Sequence, residues 1–312
     1  MPDAPTALRC RLCGSERLGP GPARGSLRYE VCRACGSATL VEGAVTPGPY
    51  YEDYFPEAVR EPSAVLRRRY EAILAGLERR VHGRRLLEVG FGAGHFLDVA
   101  ASRGWITAGV ELSRAQAEPA RARGHRVRCG DLVANDLFGG ERFDVAVAIE
   151  VLEHVEAPAA LLTAIFARLH AGGMLYLTTP NFDGLSRRVL GGWWSVLGDE
   201  HLMLASAAGL RTALRRAGFT RVRVRSRNVN PVELVRGWRA RRRFGGAPPP
   251  PPGAPEAPAA AGCSAADRVQ ASTAVRDRIE ASRVLTAAKH AANLVLGALD
   301  LGDALVARAR RP

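Results

Sequence analysis

Arg84-Arg85-Leu86-Leu87-Glu88-Val89-Gly90-Phe91-Gly92-Ala93-Gly94-His95-Phe96-Leu97 reads as a short apolar strand, a glycine-rich turn and the start of a helix. The helix runs on through Val99 and Ala100 to Arg103-Gly104, and a second strand, Trp105 to Val110, ends in Glu111. Glu111 follows Gly90 by 21 residues, about where a nucleotide-binding strand–helix–strand unit keeps its ribose-binding carboxylate. The glycine spacing is G-x-G-x-G, and Glu88 stands two residues before the first glycine. A turn that cradles a pyrophosphate at a helix N-terminus is opposed by a carboxylate beside it. Glu88 suits a cationic ligand without phosphate.

A glycine-rich turn alone is a weak signal, and the segments downstream of it strengthen the reading. Val127 to Cys129 is a third strand leading to Gly130-Asp131. Phe143 to Ile149 is almost continuously apolar, as a strand buried on both faces should be, and Glu150-Val151-Leu152-Glu153-His154-Val155 comes directly after it. Leu161 to Leu169 reads as a helix. Gly172-Gly173 then turns into a fifth strand, Met174 to Thr179, ended by Pro180-Asn181. A helix over 206–217 leads through Gly218-Phe219 to the alternating strand Thr220 to Arg227, and upstream the pattern predicts a helix over 63–80. Open α/β sheets bind ligands beyond the carboxyl ends of their strands. Glu88, Glu111, Asp131, Glu150 and Pro180 all fall at such ends.

These segments resemble the class I S-adenosylmethionine-dependent methyltransferases. The carriers are Leu-Leu-Glu-Val-Gly-Phe-Gly-Ala-Gly, Val-Glu-Leu-Ser, Cys-Gly-Asp-Leu, Phe-Asp-Val-Ala-Val-Ala-Ile-Glu-Val-Leu-Glu-His-Val and Leu-His-Ala-Gly-Gly-Met-Leu-Tyr-Leu-Thr-Thr-Pro-Asn, within residues 62–229. The resemblance implies an α/β, Rossmann-like sheet of seven strands, the last antiparallel and inserted beside the fifth. Gly302-Asp303-Ala304-Leu305-Val306-Ala307-Arg308 looks like that closing strand, so residues 301–312 would complete the core. It also implies that Glu88, Gly90, Gly92 and Gly94 hold the methionine moiety of the cofactor, Glu111 its ribose, and Asp131 with Leu132 its adenine. Glu150 joins this cofactor-side set at the end of the fourth strand.

Cys10-x-x-Cys13 and Cys32-x-x-Cys35 are two knuckles of nearly the same sequence, Cys-Arg-Leu-Cys-Gly-Ser and Cys-Arg-Ala-Cys-Gly-Ser. Four thiolates in such pairs match a structural zinc site, with no open coordination position. Two disulfides or a redox pair are the alternatives, and a cytoplasmic chain disfavours disulfides. Residues 1–45 are therefore expected to form a zinc-ribbon-like module, joined by a Tyr-rich connector (46–61, with Tyr50, Tyr51, Tyr54 and Phe55) to the core. A ribbon ahead of this core resembles bacterial sugar and natural-product methyltransferases.

Residues 230–300 are expected to be an insertion before the last strand. It opens with Arg236, Arg239, Arg241, Arg242 and Arg243, passes through a proline-rich stretch (247–261) and continues as an apolar-faced helix over about 264–298. That face packs on the core, binds a partner or lies on a membrane surface. The 312 residues, 47% hydrophobic and 24% charged, suit a soluble globular chain and exclude a disordered polypeptide or a disulfide-stapled scaffold. The N-terminus has no secretory h-region and no apolar stretch is long enough to span a membrane, so a cytoplasmic location is expected. The net charge of +13 invites a nucleic-acid partner. Lys289, however, is the sole lysine among the 44 Lys and Arg residues, which fits codon bias as well as a polyanion surface.

Methyl transfer is an in-line displacement at an activated sulfonium, so alignment supplies much of the rate. A base is needed for a hydroxyl, an acidic C–H or a protonated amine. His201, in Gly-Asp-Glu-His-Leu after the fifth strand, and His154 are the candidates. Ubiquinone-type O-methyltransferases bind a divalent metal through a similar Glu-x-x-Glu-His, the pattern here of Glu150, Glu153 and His154. The expected function is O- or C-methylation of a small-molecule or glycan-precursor acceptor. The alternatives are an RNA methyltransferase docking through ribbon and arginines, and a non-catalytic cofactor-binding scaffold. No residue reports the oligomeric state.

Overall fold

The computed structural model describes residues 8–43, 62–245 and 295–312. In chain order, strands β1 (Leu18–Arg24), β2 (Leu27–Cys32) and β3 (Ala38–Glu42) precede helix α1 (Ala64–Glu78). Then come β4 (Arg85–Val89), α2 (His95–Ser102), β5 (Ile106–Glu111), α3 (Arg114–Ala122) and β6 (Arg126–Cys129). β7 (Phe143–Ile149), α4 (Pro158–Ala167), β8 (Leu169–Pro180), α5 (Leu185–Leu190) and β9 (Met203–Leu204) are next. α6 (Ala207–Arg216), β10 (Thr220–Arg227), α7 (Pro231–Phe244) and β11 (Ala304–Arg310) complete the chain.

The main sheet has the order β10-β11-β8-β7-β4-β5-β6. β4 to β8 are mutually parallel, and β11 runs antiparallel between β8 and β10. Val145 to Ala148 on β7 are completely buried, because helices cover both faces of the sheet. One face packs Ile73, Leu74 and Leu77 of α1 and Phe96 and Val99 of α2. The other packs Leu161, Leu162 and Ile165 of α4 and Leu210 and Leu214 of α6. Side chains start several of these helices: Ser63, Ser113 and Ser206 each accept from the backbone N–H three residues on, Leu66, Gln116 and Gly209.

The helix expected over Leu161 to Leu169 is Pro158–Ala167, and two strand boundaries also differ from the sequence reading. β8 begins at Leu169, so Gly172-Gly173 is an irregularity within the strand and not a turn ahead of it. Leu169 pairs with Phe143, and the Gly172 N–H donates to Arg311 O at 2.9 Å, which keeps this stretch in the sheet. The closing strand starts at Ala304 and reaches Arg310, two residues later at each end. Asp303 is taken up in fastening the strand entrance: its carboxylate accepts from Ser186 N–H at 2.9 Å, Ser186 Oγ–H at 2.6 Å and Asn230 N–H at 2.9 Å.

The N-terminal module is a four-stranded antiparallel sheet, β1-β2-β3-β9, whose last strand comes from the core. It is thus built into the main domain. The arginine cluster 236–243 lies on α7, capped by Asn230 Oδ1 accepting from Glu233 N–H at 3.4 Å. The Tyr-rich connector, the proline-rich stretch and most of the 264–298 segment lie outside the described residues. Among the described residues no helix is long and apolar enough to cross a membrane.

Candidate active site

The parallel strands deliver the sequence-selected residues to one edge. Glu88 sits one residue inside the end of β4, between Gly109 on β5 and Val147 on β7. It is buried, and one carboxylate oxygen, Oε2, has no hydrogen-bond partner among the described residues. Burial, with the charges of Glu111 and Asp98 nearby, pushes its carboxyl well above the ordinary range. An orphaned buried carboxylate costs free energy until a donor or cation meets it.

The turn beside it needs glycine at three positions, Gly90, Gly92 and Gly94, all of them at positive φ. Gly90 is left-handed at φ +66°, and a Cβ there would lie 2.6 Å from Val151 Cγ2. Gly94 caps α2 in the same conformation (φ +78°), and Gly92 N–H donates to Glu111 Oε2 at 2.9 Å. Glu111 Oε1 also accepts from Leu112 N–H at 2.8 Å and Ser113 N–H at 3.2 Å. The buried Glu111 therefore ties the end of β5 to the glycine turn, a role not anticipated for it, while a carboxylate keeps further acceptor capacity for a hydroxyl. Asp131 is exposed past β6 and accepts from Val133 N–H at 2.7 Å, whereas the Leu132 side chain is buried in the core. Leu132 thus has its backbone, not its side chain, to offer an adenine. Glu150 is exposed at the end of β7 and is held at φ +54°. Such a conformation in a non-glycine residue costs on the order of 1–3 kcal/mol and clusters at functional sites.

His154 and His201 are brought together, their ring centroids 4.7 Å apart. His154 Nδ1–H donates to Glu200 O at 3.0 Å and His201 Nδ1–H to Val196 O at 2.6 Å. Carbonyl partners at both Nδ1 atoms select the tautomer whose lone pair is on Nε2. Burial, together with His201, pushes His154 down to about 3, and burial also lowers His201, so both rings are neutral near pH 7. The buried Glu153 adjoins them: its Oε2 accepts from Thr179 Oγ1–H at 2.9 Å, and burial beside Glu150 raises its carboxyl. Ligand atoms of Glu153, His154 and His201 lie within 4.8 Å of one another, close enough to share a cation.

The sulfurs of Cys10, Cys13, Cys32 and Cys35 also lie within 4.8 Å of one another, with Cys10···Cys35 at 3.6 Å and Cys13···Cys32 at 3.5 Å. These separations exceed a disulfide's roughly 2.05 Å. They match the about 3.8 Å between thiolates around a tetrahedral zinc with bonds of about 2.3 Å. The two knuckles fold alike: Gly14 N–H donates to Cys10 O and Gly36 N–H to Cys32 O, both at 2.8 Å. The donor set fits zinc.

Sequence reasoning missed how this module reaches the histidines. β3 pairs with β9, Leu40 N–H donates to Leu202 O at 2.9 Å, and Ser206 Oγ–H donates to Cys35 O. The buried Tyr29 hydroxyl lies 2.7 Å from Gly198 O and 3.0 Å from His201 O. Trp194 is buried in the same cluster with Leu27, Tyr29 and Leu40. Tyr29→Phe should cost about 1 kcal/mol in stability, read by urea unfolding, and should shift the His201 ring resonances in NMR while leaving those of the Gly90 turn in place.

The family described as "Methyltransferase domain" matches residues 62–224, more than half of the chain. The chain belongs to this methyltransferase family. Ubiquinone biosynthesis O-methyltransferase of Pseudomonas fluorescens (strain SBW25) is 27% identical over 129 residues, 39% of this chain and 53% of that one. A probable S-adenosylmethionine-dependent methyltransferase of Mycolicibacterium smegmatis is 32% identical over 154 residues, 49% of this chain and 58% of that protein. The chain spans about half the length of the curated relatives it matches. Phosphoethanolamine N-methyltransferase 2 of Haemonchus contortus, solved with phosphomonomethylethanolamine and S-adenosylhomocysteine, shares the fold at a TM-score of 0.50 and 20% identity, covering 84% of this chain and 56% of that one. The seven-stranded order of this chain, with β11 inserted antiparallel, is the expected class I arrangement.

Proposed function

We propose that the chain transfers a methyl group from S-adenosylmethionine to a small-molecule or glycan-precursor acceptor, at oxygen or carbon. The observation that carries the reading is Glu88: a buried carboxylate oxygen lacking a partner among the described residues, beside Gly90, where a Cβ would lie 2.6 Å from Val151 Cγ2. The α-amino group of the cofactor's methionine moiety supplies the donor and the positive charge that this oxygen lacks. Gly90, Gly92 and Gly94 would let the backbone approach that moiety, Glu111 would take the ribose, and Asp131 with the Leu132 backbone the adenine. Glu150 would join them on the cofactor side, at the end of β7. When bound, the cofactor supplies an electrophilic methyl group on sulfur. The cysteine module would hold a structural zinc ion, and residues 230–300 would form an insertion in the core.

His201 is the proposed base, with His154 orienting it. A neutral imidazole whose tautomer leaves the lone pair on Nε2 takes a proton from a hydroxyl or an acidic C–H. The folded pKa values of both rings are depressed, so their contribution to stability is present above about pH 6.5 and is lost as pH falls below it. Turnover should therefore not require a deprotonation step above pH 6.5. His201→Gln is expected to lower methyl transfer by about 10²- to 10⁴-fold, measured as S-adenosylhomocysteine release with a panel of hydroxylated acceptors. Cofactor affinity should change less than about twofold, because His201 is not in the cofactor-side set. Unchanged turnover in the variant would remove His201 from the mechanism.

A further inference from the structure

We propose that the face of β10 and β11 that the described residues leave open is an anion subsite that holds a phosphoryl or diphosphoryl group of the methyl acceptor. That the anion belongs to an acceptor rests on the methyl-transfer reading; the anion site itself does not. Strand periodicity puts Arg223, Arg225 and Arg227 on one face of β10, while Val224 and Ser226 are buried on the other. In the antiparallel register Arg308 of β11 lies directly opposite Arg223, and Val306 opposite Arg225. These five residues line a concavity of about 230 Å³.

Among the described residues, these four guanidinium groups lack acidic partners. Glu78 and Glu141 each collect two arginines, and Asp98, Asp136 and Asp300 pair with others, but no ion pair there reaches Arg223, Arg225, Arg227 or Arg308. Burial and the neighbouring Arg80, Arg227 and Arg223 lower the pKa of Arg308, so the cations are close enough to repel one another. An anion placed among them reverses that repulsion. Guanidinium forks match phosphoryl oxygens in a bidentate arrangement.

Size and position choose the ligand. A cavity of about 230 Å³ is smaller than the roughly 300–1,000 Å³ of a complete small-molecule pocket, so it fits one charged group of a larger molecule. Glu88, Val147, Tyr176, Arg308 and Arg223 form a single row across β4, β7, β8, β11 and β10. Three strand spacings of about 4.8 Å put Arg308 about 14 Å from Glu88. Arg227 is level with Ala304 and Pro180, at the edge where the other site residues gather. An acceptor with its reacting atom at that edge can therefore lay a phosphorylated tail along the arginines. Among the described residues no aromatic side chain lines the concavity for nucleobases to stack on, which favours a phosphoryl group over single-stranded RNA.

The test titrates pyrophosphate calorimetrically into the full-length protein and its R223Q/R225Q variant, at about 50 and 200 mM salt, with S-adenosylmethionine titrated into the same samples. Pyrophosphate should bind the native protein near one equivalent, more weakly at the higher salt, and at least about tenfold more weakly in the variant. S-adenosylmethionine affinity should be equal in both, which also shows that the variant is folded. No pyrophosphate binding, or equal binding to both proteins, overturns the site. An oligoribonucleotide that outcompetes pyrophosphate, with a salt slope corresponding to more than about four phosphates, overturns it in favour of nucleic-acid docking. Pyrophosphate binding without S-adenosylmethionine binding keeps the anion site and removes the methyl-transfer reading.

Discussion

Glu88→Gln is expected to weaken S-adenosylmethionine binding by about 10- to 100-fold while making the unliganded protein more stable. The two effects have one cause. In the unliganded protein a carboxyl is buried with Oε2 unpartnered and its pKa well raised. Its folded pKa lies above its unfolded value, so its effect is a loss of stability as pH rises from about 4.5 through the folded pKa. Glutamine has no charge to bury, so the variant should melt a few degrees higher at neutral pH, at roughly 2–4 °C per kcal/mol for a domain of this size. With the cofactor bound, the carboxylate regains its value: a hydrogen bond to a charged group contributes about 1.5–3 kcal/mol. Native affinity should rise with pH through the range where Glu88 ionises, and the variant's should not. Melting curves from pH 5 to 8 and calorimetric affinities over the same range read both effects. Equal affinity in the two proteins would take Glu88 out of the cofactor site.

Cys35→Ser should have the largest effect on the N-terminal module. Structural zinc in small finger peptides contributes about 10–16 kcal/mol, and here the four sulfurs of the two knuckles converge within 4.8 Å of one another. Metal content by elemental analysis should fall from near one per chain, and stability by at least about 3 kcal/mol, roughly 6–12 °C. The consequence should reach the acceptor side selectively. Cys35 O accepts from Ser206, β3 carries β9, and Tyr29 contacts the carbonyls of Gly198 and His201. Among the described residues, no hydrogen bond or strand pairing of this kind joins Glu88 or the glycine turn to the module. Loss of the metal should therefore disturb His201 and turnover more than cofactor affinity. A variant that keeps its metal and its melting temperature, or native protein that purifies without metal, would contradict the zinc assignment.

The fold was largely legible because the parallel strands are continuous apolar runs punctuated by glycine, proline and acidic residues. β7 and β10 coincide with the residues anticipated for them. What escaped depends on partners distant in sequence. Met203–Leu204 is too short to announce itself as a strand, and β3 defines it. Nothing in the sequence around Tyr29 marks it out, because its hydroxyl meets a loop 169 residues away. His154 and His201 were separately visible, but only the folded chain stacks them and turns both Nδ1 atoms to carbonyls. Gly172-Gly173 misled because glycine pairs usually mark turns. Here sheet pairing on both sides, to Phe143 and Arg311, overrides that preference.

Calorimetric titration of the zinc-replete protein with S-adenosylmethionine, with NADH as the control, tests the central claim most directly. Binding of about one equivalent of S-adenosylmethionine, with no heat from NADH, is the result expected from a partner-seeking carboxylate beside a phosphate-averse turn. No binding of S-adenosylmethionine to protein shown to be folded, or equal binding of NADH, would contradict it.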